Sequence, residues 1–87
     1  MRPNDLLKKQ FLAIVDQQLK ENDPPETRQT LERLQTQEGF TRNEGRGLLA
    51  QCVAQEMTAV MMENEPFNRE RYLKLLAELP NPPMPND

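Results

Sequence analysis

An all-helical fold, a four-segment antiparallel bundle, follows from three observations on this 87-residue chain. Apolar residues recur at spacings of three and four over long stretches, and no segment alternates apolar with polar residues for the length of a strand. Proline or glycine clusters interrupt the pattern at short intervals, and short connections favour antiparallel neighbours.

The spacing predicts a first helix over about residues 5–21, capped by Asn4, with Leu7, Phe11, Ile14, Val15 and Leu19 on its apolar face and Leu12 widening it. The segment ENDPPE stops this helix, because proline lacks an amide donor and disfavours helical geometry in the residue before it. A second helix is expected over about residues 24–37, opened by an Asp23/Glu26 capping box with Pro24 at the first helical position. Its apolar face is narrow: Leu31, Leu34 and the methyls of Thr27 and Thr30, with Arg28, Glu32 and Arg33 toward solvent.

Gly39 stands where a left-handed residue ends a helix, and Thr41 with Glu44 forms a second capping box. The third helix, about residues 42–64, is the longest and most apolar, with Leu48, Leu49, Cys52, Val53, Met57, Val60 and Met61 at core spacing. NEPF ends it, Asn68 caps a fourth helix over about residues 68–79, and Tyr72, Leu73, Leu75, Leu76 and Leu79 supply its apolar side. Residues 1–80 read as a single helical domain and residues 81–87 as a proline-rich disordered tail.

Composition narrows the chemistry. A net charge of −3, from 14 acidic and 11 basic side chains interleaved along the helices, offers no basic face for nucleic acid. The pair Lys8–Lys9 and the run NRERY read as solvated helix faces. The single cysteine, Cys52, has no partner for an intrachain disulfide, no apolar run reaches the roughly 20 residues that span a bilayer, and the N-terminus lacks a signal-peptide pattern. A cytoplasmic protein with no membrane contact is the expectation.

The stretch GFTRNEGRG holds all three glycines, yet no strand precedes it and no lysine follows, as a phosphate loop requires. Gly45 and Gly47 fall inside the third helix, where each costs about 1 kcal/mol relative to alanine, and close approach of another helix would explain them. Glu56 falls near the middle of the apolar arc, so it must be paired, hydrogen-bonded or protonated. Arg33 and Arg71 are the candidate partners; a general base or metal ligand is the other reading, but there is no histidine and no metal-loop pattern to accompany it. Neither catalytic residues, metal ligands nor a cofactor are assigned. Met57, Met61 and Met62, beside Phe67, form a methionine-rich helix end that reads either as gap-filling core or as an adaptable contact surface, with Met62 off the main stripe.

The order of features resembles a group of short bacterial proteins and C-terminal modules of unknown function, over about residues 11–80. The similar features are Val15, Asp16, Gln18 and Leu19 at the end of the first helix, the PPE start, the E-R-L core, the glycine turn, the R-x-E entry and the final Y-L-x-x-L helix. Some members carry histidines in the first helix and in an H-x-x-x-H arrangement opening the third, which implies a metal site. The corresponding positions here are Leu12, Asn43 and Gly47, so the resemblance implies that any such site is lost in this chain.

These readings lead to a non-enzymatic domain that acts by protein–protein contact or self-association. The alternative is a ligand-binding or degenerate enzyme module with Glu56, Arg42 and Arg46 around a pocket between the second and third helices.

Overall fold

The computed structural model describes residues 3–80, and their side chains from residue 7 onward. Four helices follow in order: α1 (Pro3–Glu21), α2 (Pro25–Thr36), α3 (Arg42–Glu63) and α4 (Arg69–Glu78). Among the described residues there is no strand, and the helices pack as an all-α bundle. The expected tail, residues 81–87, lies outside the described residues.

Helix α1 begins at Pro3, so Asn4 lies inside it rather than capping it. Its end is set by Asn22 in the left-handed conformation, φ 52°. The Asn22 amide donates to the Leu19 carbonyl and the Asp23 amide to that of Gln18, closing the helix one turn before the prolines act.

The Asp23/Glu26 capping box does not form. The N-cap of α2 is Pro24, which has no side-chain acceptor, and the first helical residue is Pro25. Both carboxylates instead face Arg69 of α4, at 3.5 Å from Asp23 and 3.9 Å from Glu26. The second box is present in full: Thr41 Oγ1 accepts from the Glu44 amide at 3.1 Å, and the Thr41 amide donates to Glu44 Oε1 at 2.8 Å. Gly39 has the positive φ, 76°, that its place at the end of α2 requires, and Asn64, φ 55°, ends α3.

The core draws on every helix: Val15 and Leu19, Leu31 and Leu34, Leu49, Cys52 and Val53, Tyr72 and Leu76, closed by Leu79. Helix α3 is the axis against which the others lie, touching α1, α2 and α4. Gly45 explains how α2 comes so near: a Cβ at this position would stand 2.6 Å from Leu31 Cδ1. Gly47 does the opposite of what its sequence position suggests, since a Cβ there would meet nothing within 4 Å.

The aliphatic core contains one polar knot. Gln18 Oε1 accepts from Thr27 Oγ1 and from the Tyr72 hydroxyl, each at 2.8 Å, so a single amide oxygen joins α1, α2 and α4. Thr27 and Tyr72 are both fully buried, and burial pushes the Tyr72 phenol above its ordinary range. Arg33, expected on the solvent side, reaches across to α4 and donates to the carbonyls of Leu76 and Leu79 at 3.1 and 2.8 Å. It supplies a donor to the Leu79 carbonyl at the helix end and a second one to the Leu76 carbonyl, which also accepts from the Leu79 amide.

Candidate functional site

Glu56 is completely buried, and its partner is Arg71 rather than Arg33. Arg71 Nε donates to Oε2 at 2.6 Å and Nη2 to Oε1 at 2.8 Å, while the Asn68 amide donates to Oε1 at 2.8 Å. The carboxylate of α3 thus receives both the guanidinium of α4 and the backbone at the N-cap of α4. Asn68 Oδ1 in turn accepts from the Arg71 amide at 3.0 Å. The Arg71 fork is the largest influence on the Glu56 carboxyl and outweighs burial, so its pKa falls below the ordinary 4.5. A carboxylate held ionised by three donors is a poor proton acceptor. This arrangement is a joint between helices, and NRERY, expected to be a solvated run, supplies half of it.

Arg71 also stands 3.7 Å from Glu63 and 3.9 Å from Glu65, beyond the end of α3. Phe67 packs its half-exposed ring on Tyr72, centroids 5.4 Å apart and planes tilted by 57°. Of the methionines, Met57 packs on the core, whereas Met61 and Met62 are 79% and 80% exposed. Met61 has core spacing, yet it is exposed like its neighbour Met62 and does not join the core.

Arg46 grips Asp16 of α1 with Nε on Oδ1 and Nη2 on Oδ2, both at 2.8 Å, and Nη1 reaches Asn43 at 3.2 Å. The three residues expected around one pocket are therefore not brought together. Glu56 is engaged by Arg71, Arg46 by Asp16, and Arg42 alone lines an open recess.

Sequence reasoning missed two surface depressions. The first, about 560 Å³, is an apolar groove over the outer face of α3, floored by Gly47 and Ala54 and walled by Leu7 and Phe11 of α1 and by Phe40 and Leu48. Leu7, assigned to the apolar stripe, is 47% exposed at this groove. Ile14, also placed on that stripe, is 38% exposed. The legible signal was the small residues Gly47 and Ala54, one heptad apart on the side of α3 away from Leu49 and Cys52. The second recess, about 500 Å³, is polar and lies where α1, α2 and the start of α3 meet.

Cys52 is fully buried, and burial first, then the charge of Glu78, raises its thiol to about 12. It is protonated at neutral pH and therefore a weak nucleophile. Among the described residues no group of three or more metal-ligating side chains occurs, and no helix is long and apolar enough to cross a membrane. Comparison of the chain with protein-family models, with curated proteins and with solved structures finds no match.

Proposed function

We propose that the chain is a small, non-enzymatic, cytoplasmic helical module that works by protein–protein contact. The observation that carries this reading is the apolar groove on α3. It is lined by small residues beside leucine and phenylalanine, a composition that suits the apolar edge of an amphipathic helix from a partner or from a second copy. The polar residues Lys8, Glu44 and Gln51 rim it, as expected where a contact must also be soluble when unoccupied. Met61 and Met62 add adaptable apolar surface at the far end of the same helix.

The charged side chains in the shortest ion pairs support the same reading. Glu56, Arg71 and Arg46 are each committed to joining helices, which leaves them unavailable as acids, bases or nucleophile activators.

Sedimentation velocity at micromolar concentration, paired with affinity capture and mass spectrometry, tests the proposal. Ala54→Arg places a long cation on the groove floor without entering the core. The expected result is a dimer or a captured helical partner that this variant loses while its thermal transition stays unchanged. A monomer that captures no protein, or a complex indifferent to Ala54→Arg, would overturn it.

A further inference from the structure

The polar recess where α1, α2 and α3 meet has a charge pattern that the rest of the chain does not lead one to expect. Lys20 from the last turn of α1, Arg28 from α2 and Arg42 from the start of α3 all line it. Among the described residues, none of these three cations has a carboxylate within 4 Å. Two carboxylates share the lining, Asp16 and Glu32. Asp16 is already neutralised by the two-point grip of Arg46, which leaves Glu32 against three positive side chains. In a chain of net charge −3 this is a local excess of the opposite sign.

The recess also has fixed points. Arg28 Nη2 donates to the Leu19 carbonyl at 2.8 Å, which anchors the guanidinium at the end of α1 while leaving its other N–H groups available. The floor is apolar, made by Leu19 and Leu31, both buried, and Gln35 supplies a neutral amide at the side. A volume of about 500 Å³ is in the range of small-molecule sites.

We propose that this recess binds a phosphate-bearing organic anion whose phosphates face Arg28, Arg42 and Lys20. Cations from three helices, none with a carboxylate within 4 Å among the described residues, repel one another, and a polyanion removes that repulsion while taking charge-assisted hydrogen bonds from the arginine forks. The inference is independent of the apolar groove, with which the recess shares no lining residue.

Titration of the ¹⁵N-labelled protein with adenosine triphosphate, pyrophosphate and adenosine, followed by amide chemical shifts, tests it. Near 0.1 M salt the screening length is about 10 Å, so distant charges contribute little. The expected result is saturable shifts confined to residues around Leu19, Lys20, Arg28, Leu31 and Arg42 for the triphosphate and, more weakly, for pyrophosphate, with none for adenosine alone. Arg42→Glu and Lys20→Glu change side chains that take part in none of the side-chain hydrogen bonds or ion pairs among the described residues, so the fold is expected to survive them. Each is expected to weaken triphosphate binding about tenfold, the size of 1.4 kcal/mol. Glu32→Gln should tighten it, and Lys74→Glu, on α4 and outside the recess, should leave it unchanged. Absence of saturation, shifts centred elsewhere, or equal losses in Arg42→Glu and Lys74→Glu would each overturn the proposal. Equal binding of adenosine and the triphosphate would do so as well.

Discussion

Helix α3 is fastened to α4 and to α1 by the same chemistry, an arginine fork on a carboxylate, yet the two fastenings differ in what surrounds them. At Glu56 the acceptor is wholly buried and a backbone amide completes its shell. At Asp16 the carboxylate side chain is 51% exposed, so water reaches the acceptor, although Arg46 itself is 24% exposed. Distances alone, 2.6–2.8 Å in one case and 2.8 Å in the other, would rank them nearly equal. Burial of the acceptor separates them: a carboxylate with no access to water depends wholly on its protein donors, whereas a half-exposed one is hydrated with or without its arginine.

The largest effect should therefore come from Glu56→Ala. About 3 kcal/mol of stability is expected to be lost, at the lower end for a broken buried pair because Arg71 stays a third exposed and has Glu63 and Glu65 nearby. Chemical denaturation measures it. The acid side of the stability profile carries the same information. The folded-state pKa of Glu56 is lowered, so its contribution is complete above the ordinary 4.5 and declines as pH falls through the folded value. The wild type should lose stability below pH 4.5 more steeply than Glu56→Gln, and parallel profiles would contradict the pairing.

The two glycines of α3 extend the comparison from charges to packing. Gly45→Ala gains helix propensity but drives a Cβ into Leu31, a side chain only 2% exposed that has little room to swing. A net loss of about 1 kcal/mol is expected. Gly47→Ala meets no atom within 4 Å and keeps the propensity gain, so it should stabilise by up to about 1 kcal/mol. Thermal unfolding of the two variants side by side should show shifts of opposite sign; the same sign in both would undo the distinction between the inner and outer faces of α3.

Asp16→Ala should have the smallest effect, about 0.5 kcal/mol, and that difference should shrink as salt is added. A loss as large as that of Glu56→Ala would mean that exposure does not separate the two fastenings.

The sequence made some of these features legible and concealed others for a physical reason. Periodicity located four helices because burial selects leucine and valine at every third or fourth position. Thr41, Glu44, Gly39 and Asn68 were readable because caps are local chemistry, decided within four residues. The Asp23/Glu26 box looked equally local but was decided by α4, whose Arg69 drew both carboxylates away. Glu56 was recognisable as a buried acid from its wheel position, but choosing Arg71 over Arg33 required knowing that Arg33 was needed at the carbonyls of Leu76 and Leu79. Periodicity left Met61 open between core and contact surface, because it records which face an apolar residue takes and not whether a neighbour covers it; its side chain is 79% exposed. Of the groove only the small residues Gly47 and Ala54 were legible, and the recess was not, since its lining comes from residues 16 to 42 on three helices.

Gln18 has one more consequence. An aliphatic core of leucine and valine is permissive: helices can rotate or slide against one another and still bury similar area. The two bonds at Gln18 Oε1 are not permissive, because a shift of one residue along any of α1, α2 or α4 turns its side chains by about 100° and parts the hydroxyls from the oxygen. This amide therefore acts as a registration key. It favours the one packing in which α1, α2 and α4 all stand in this register.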